Sequence, residues 1–167
     1  MSLQDEIIVW DGKSASDIDK LFRSYSDDSN FIQSVISLLK EISGQKGASW
    51  LLKAWFENGY SVEPEQSSKI IDSLPKIKTW ETKLHVLQCL PYVSILIKKK
   101  FVVEDFVRAS LKEKNKFVRA WAYNGFYELA KQHPEYRAEA TALFNAAIEH
   151  EAASVKARIR HIVKSGF

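Results

Sequence analysis

The sequence has little of what builds disulfide frameworks, tight turns or membrane spans: one cysteine, six glycines and four prolines in 167 residues. A single thiol excludes an intrachain disulfide. The place of Cys89 in the apolar run Leu84–Leu90 marks it as a core residue rather than a nucleophile. Sandwiches and barrels need turn residues at every corner, and so few glycines and prolines argue against both. No stretch approaches eighteen uninterrupted apolar residues, so no membrane span is expected. The opening Met-Ser-Leu-Gln-Asp-Glu is acidic where a secretory leader is basic and then apolar. Without leader or disulfides, the expected compartment is the cytoplasm.

Motifs for metal or nucleotide chemistry are also missing. His85, His133, His150 and His161 are widely spaced, with no His-Glu-x-x-His and no cysteine pair. Gly44 and Gly47 lack the Gly-Lys-Ser/Thr ending of a phosphate loop. No local pattern gives a Ser, Thr or Cys nucleophile its base. The expectation is therefore no catalytic residue, no metal ligand and no cofactor.

What is present is the composition of a globular chain, 46% apolar and 27% charged, long enough to bury a sizeable core. Five tryptophans, six tyrosines and nine phenylalanines suit wide helix-packing surfaces. The net charge of +3 is unevenly placed. Residues 1–80 hold nine Lys/Arg and twelve Asp/Glu, whereas residues 81–167 hold fifteen and nine. The basic second half favours an acidic partner.

Along the chain, residues 1–27 are the least regular: the apolar run Ile7–Trp10 ends at Asp11-Gly12, and a short helix capped by Ser14 or Ser16 follows. This segment reads as a terminal cap, and residues 28–167 as the helical domain. From Asp28, Phe31, Val35, Leu38, Leu39 and Ile42 repeat at helical spacing. A second helix over 48–57 stops at Asn58-Gly59, and a third has Pro64 in its first turn and stops before Pro75. The fourth lies within 78–93, where Pro91 ends or kinks it. Ser94–Lys100 leads into a helix over 103–112, and further helices are expected over 116–133, 136–150 and 154–164. Ile95–Ile97 has no partner strand in sight.

Two of these segments resemble each other. Asn115-Lys-Phe-Val-Arg-Ala-Trp-Ala and Ala152-Ala-Ser-Val-Lys-Ala-Arg-Ile both place valine, a basic residue and alanine in succession. Ala120 and Ala157 are 37 residues apart; steps of 36 and then 34 back reach Leu84 in Thr82-Lys83-Leu84 and Trp50 in Ala48-Ser49-Trp50. Such spacing fits a repeated helix–turn–helix unit. The segments resemble HEAT and armadillo repeats, in which the second helix opens with Val-Arg and a small residue. Val118-Arg119-Ala120 with Leu129 matches well, Val155-Lys156-Ala157 with Ile162 or Val163 adequately, Thr82-Lys83-Leu84 weakly, and Ala48-Ser49-Trp50 lacks the basic residue. The resemblance, over roughly residues 30–165, implies an all-α fold: a short right-handed alpha-alpha superhelix of about four HEAT-like helix pairs with an N-terminal capping segment. A mixed helical bundle is the other architecture such helices allow.

In a stacked array, Lys83, Arg119 and Lys156 fall at equivalent positions and form a basic ladder, to which Arg158 and Arg160 add charge. Either the ladder faces a partner, or its members pair with acidic turns and carbonyls between repeats. The favoured function is a non-catalytic scaffold for a protein or peptide, acting through Lys83, Arg119, Lys156, Arg158 and Arg160 and the exposed members of Trp50, Trp80, Trp121 and Tyr123. Nucleic acid is the alternative partner; no membrane is expected. The DNA alkylation repair glycosylases are a catalytic HEAT-like family with basic, aromatic surfaces. The chain is similar in kind, with Trp50, Trp80 and Trp121 as stacking candidates and Glu81 or Glu128 as the acid, but no catalytic motif of that family matches.

Overall fold

The computed structural model describes all 167 residues, and it is all-helical, with ten α-helices and no strand. No helix is long and apolar enough to cross a membrane. The chain divides into two compact units, Met1–Ser94 and Ile95–Phe167.

The first unit holds α1 (Leu3–Val9), α2 (Ala15–Tyr25), α3 (Phe31–Leu38), α4 (Gln45–Glu57), α5 (Pro64–Ser73) and α6 (Trp80–Cys89). The run Ile7–Val9 is helical rather than irregular. Ser2 and Asp5 cap α1 reciprocally: the Ser2 hydroxyl accepts from the Asp5 N–H, and the Asp5 carboxylate accepts from the Ser2 N–H at 3.0 Å. Seven residues are too few for a free helix, so α1 depends on Leu3 and Ile7, both buried, and on its packing against α2 and α4. Ser14 caps α2, as its spacing suggests.

Helix α3 is shorter than its periodicity predicts. The backbone loosens into turns after Leu38, where the Leu39 N–H is shared between the carbonyls of Val35 and Ile36. Ile42, expected on the apolar stripe, is consequently 76% exposed. Helix α4 begins three residues before Ala48. Its buried Gln45 anchors that start, donating at 2.6 Å to the Lys76 carbonyl beyond α5. At the other end Gly59 turns with φ +86°, a conformation only glycine adopts cheaply. Pro64 takes the first turn of α5, and Pro91 ends α6 in a short 3-10 turn rather than kinking it. Helix α4 packs on α2, α3 and α6, and α3 packs on α5. Fully buried Ile18, Phe31, Leu39, Leu51, Leu52, Ile70 and Leu87 fill the space between them. Cys89 is buried there as well, and burial pushes its thiol well above the ordinary range.

The second unit holds α7 (Lys100–Ser110), α8 (Lys116–Gln132), α9 (Arg137–His150) and α10 (Ala153–Ser165). Ile95 does not enter a strand. Its N–H donates to the Gln132 side chain at 2.7 Å and its carbonyl meets His133 Nε2 at 2.6 Å, so the last residue of α8 and its C-cap satisfy both polar groups of this buried residue. Asn115 caps α8, accepting from the N–H groups of Phe117 and Val118. Small buried residues Ala120, Ala122 and Gly125 line α8, which packs against α7, α9 and α10. Arg108 ties α7 to the start of α9, with Nη1 and Nη2 on the Glu139 carboxylate at 2.5 and 2.8 Å and Nε on Glu104 at 2.9 Å. The Tyr136 hydroxyl also donates to Glu104, at 2.6 Å. This forked geometry holds the guanidinium charge firmly in place.

Gly47 offers a direct check on how α1 is held. A β-carbon there would stand 2.8 Å from the Ile7 Cγ2 methyl, on a branched side chain with no room to swing away. Alanine would raise the helix propensity of α4 by about 1 kcal/mol, whereas overpacking costs about 1–3 kcal/mol. Gly47→Ala is expected to destabilise the chain by about 1 kcal/mol. Urea unfolding measures it, and an unchanged or raised midpoint would show that Ile7 does not press on α4.

Candidate interaction surface

The residues singled out in the sequence fall in both units. In the first, Trp50 is half-buried on α4, edge-on to Trp10 at 5.8 Å and to His85 at 5.2 Å. Trp80 opens α6 and is 45% exposed. Lys83, half-buried on the same helix, is engaged by neighbouring groups and is not a free cation. Glu81 pairs with Lys46 at 3.4 Å. Lys46 stands in the first turn of α4, two residues upstream of Ala48-Ser49-Trp50.

In the second unit, Arg119 projects from the first turn of α8 into a closed set of acceptors. Nε lies 3.2 and 3.1 Å from the two Glu151 carboxylate oxygens, and Nη1 donates to the carbonyls of Glu113 and Lys114 at 3.0 and 2.8 Å. Tyr123 is a core residue, packed against the Phe144 ring, and burial raises its hydroxyl pKa. Glu128 is nearly fully buried and pairs with Lys131 at 3.3 Å.

The cations on the helices of this unit differ in how they are paired. Four of the five on α7 and α8 are spent on carboxylates, Lys100 on Glu135, Arg108 on Glu104 and Glu139, Arg119 on Glu151 and Lys131 on Glu128, while Lys116 lies over the Phe117 ring. Helix α10 carries Lys156, Arg158, Arg160, His161 and Lys164 and not one carboxylate, and none of its lysines or arginines forms a salt bridge. Arg158 is the most confined of them. Its guanidinium sits 4.1 Å from the centre of the Trp121 ring, and desolvation without a counter-charge lowers its pKa.

Two grooves flank α10. One, of about 380 Å³, runs between α8 and α10 and is lined by Phe117, Trp121, Ser154, Arg158 and His161. The other, of about 680 Å³, lies between α9 and α10, where Phe144, Ile148, Ile159 and Val163 supply an apolar floor and Arg160, His161 and Lys164 a basic rim. The helical spacing of α10 explains this division: 154, 157, 158 and 161 fall on one face, and 156, 160 and 164 form a stripe beside it. Sequence spacing placed Arg158 and Arg160 on the same helix. It did not show Ser154 or His161 as groove residues, since neither has a pattern of its own.

The polar cluster of the first unit has chemistry of a different kind. His85 Nδ1 lies 3.0 Å from Ser49 Oγ, whose single proton goes to the Lys46 carbonyl at 2.9 Å. Nδ1 therefore carries the proton of the neutral ring. Ser49 is fully buried, which removes it as a nucleophile, and the pair serves to hold α4 against α6. Burial, with Lys53 nearby, lowers the His85 pKa to about 4. The unfolded chain thus binds a proton between pH 6.5 and 4 that the folded chain refuses, so stability present above pH 6.5 falls as the pH drops through that window. The loss amounts to about 3 kcal/mol. His85→Asn, which retains a donor near the Nδ1 position, is expected to flatten this part of the stability–pH curve. An identical slope in both proteins, followed by urea unfolding from pH 7.5 to 4.5, would rule His85 out as its source.

Compared with models of known families, with curated proteins and with solved structures, the chain matches none.

Proposed function

We propose that this chain is a HEAT-like helical-repeat scaffold, non-catalytic, which binds an acidic segment of a protein or peptide along α10. The repeat reading has four pairs, α3/α4, α5/α6, α7/α8 and α9/α10, forming a short right-handed superhelix with residues 1–27 as its cap. It is supported by the packing of second helix on second helix, α4 on α6 and α8 on α10, and of first on first, α3 on α5. It is supported also by the cations Lys46, Lys83, Arg119 and Lys156, which recur at intervals of 37, 36 and 37 residues. Two of them do equivalent work: Lys46 bonds to Glu81 at the start of α6, and Arg119 to Glu151 just before α10. Arg119 therefore enters the proposal as part of the repeat's architecture, and the partner-facing role passes to the unpaired cations of α10.

The observation that carries the functional reading is the contrast in pairing within the second unit. Four of the five cations on α7 and α8 pair with carboxylates, whereas α10 keeps five basic or titratable side chains, no acid and no salt bridge. A partner that brings carboxylates completes the pattern and, with an apolar side, covers Ile148 and Val163. A rigid helical frame adds little ordering cost on binding.

A display library of random peptides tests this. Binders are expected to be enriched in Asp and Glu over the input, and to weaken by about tenfold or more, or about 1.4 kcal/mol, against Arg160→Glu/Lys164→Glu. Circular dichroism checks that the exposed substitutions leave the fold intact. Fluorescence anisotropy with single- and double-stranded DNA and with RNA, at two salt concentrations, provides the other arm. No acidic enrichment among the peptides, together with saturable, steeply salt-dependent nucleic-acid binding, would replace the acidic-peptide reading by one of phosphate contacts.

A further inference from the structure

The groove between α8 and α10 contains an incomplete electrostatic arrangement. The Arg158 guanidinium sits over the Trp121 ring, its carbon 4.1 Å from the ring centre. Stacking occupies a face of the guanidinium and leaves its edge, where the N–H donors point, for a planar acceptor. No side-chain or backbone acceptor in the chain takes that edge. Ser154, on the same face one turn earlier, has a buried hydroxyl oxygen without a hydrogen-bond partner. Buried hydroxyls and desolvated cations are both costly to leave unsatisfied. Phe117, 49% exposed, and Ala120 and Ala157 give the rest of the groove an apolar lining.

We propose that this groove is a pocket for a single acidic residue of a partner peptide, in which an Asp or Glu carboxylate forks onto the free edge of Arg158 and the Ser154 hydroxyl turns out of its buried rotamer to donate to it. A neighbouring apolar side chain of the peptide lies against Phe117. The inference rests on the reading of α10 as an acidic-partner surface and specifies its anchor. The choice of a carboxylate follows from the donor set: one forked guanidinium edge and one hydroxyl match the in-plane acceptors of a single carboxylate. A polynucleotide would instead require a train of cations along the groove, and the groove lining contains one arginine and one histidine. His161 is exposed in the same lining. The other groups facing Arg158 are Trp121, Ala157, Ala120 and Phe117, none of which carries a charge.

The test uses the whole chain and single-residue probes, so it does not require the partner. The Arg Nε–H and Trp indole N–H signals are followed by nitrogen–proton NMR at constant ionic strength. The probes are N-acetyl-glutamate amide, N-acetyl-glutamine amide and inorganic phosphate. The glutamate probe is expected to shift the Arg158 and Trp121 signals saturably, and the glutamine probe to leave them in place. Arg158→Gln is expected to weaken the glutamate response by about tenfold, the loss of a charge-assisted pair, while Lys112→Gln, at an exposed cation away from α10, leaves it intact. Unchanged amide signals elsewhere report that each variant is folded. Equal responses to glutamate and glutamine, or a response surviving Arg158→Gln, would overturn the pocket. Phosphate saturating at lower concentration than glutamate would overturn the carboxylate assignment. Failure of the broader reading looks different. There the probe still binds at Arg158 but selected peptides show no acidic enrichment, whereas enrichment that depends on Arg160 and Lys164 with a silent Arg158 sinks the pocket alone.

Discussion

Each unit depends on one helix that is covered on most of its sides. In the first unit this is α4, against which α2, α3 and α6 pack; in the second it is α8, between α7, α9 and α10. Surrounding a helix in this way fixes what its residues can be. From Ala122 to Ala130 every residue of α8 is buried, including Asn124 and Glu128. The small residues Ala120, Ala122 and Gly125 let neighbours close in, and the large Phe126 and Leu129 fill what remains. The peripheral helices follow from this constraint. Each needs only one apolar stripe, so its outer face is left for charge.

Much of this was legible in the sequence, and the limits have physical reasons. Periodicity located α2, α4, α5 and α8–α10 because each has a firm stripe and a recognisable stop: Gly59, Pro75 after α5, Pro134 after α8, Gly166 with φ +68° after α10. It overextended α3, because the stripe continues through Leu39 and Ile42 while the backbone has already left the helix. It missed α1, whose seven residues have too short a pattern and owe their helix to a capping box and to contact with α4. The start of α4 was hidden for a similar reason, since Gly47 inside a helix reads as a breaker until Ile7 is seen resting on it.

The candidate surface was legible only in part. Arg158, Arg160 and Lys156 could be placed on one helix from the repeat, but pairing is a property of three dimensions. Nothing in Val118-Arg119-Ala120 tells that Glu151, thirty-two residues on, takes the guanidinium, or that Arg158 two residues from Lys156 has only a ring beneath it. Tyr123 and Trp121, two apart on α8, illustrate the same limit. One is locked in the core and the other borders a groove, a difference set by the 100° of helix rotation per residue and by which neighbour lies there.

The single thiol gives the chain a built-in clock. Cys89 is 1% exposed, and its environment disfavours the thiolate, so an alkylating reagent in solution has no route to a reactive sulfur in the folded first unit. Modification must wait for α6 to come away from its neighbours. The pace of labelling therefore counts openings of residues 1–94 alone, and no sulfhydryl in residues 95–167 adds to the signal. Sulfur chemistry thereby follows the first unit by itself, whereas tryptophan emission mixes the two, since residues 1–94 hold four indoles and residues 95–167 one, Trp121.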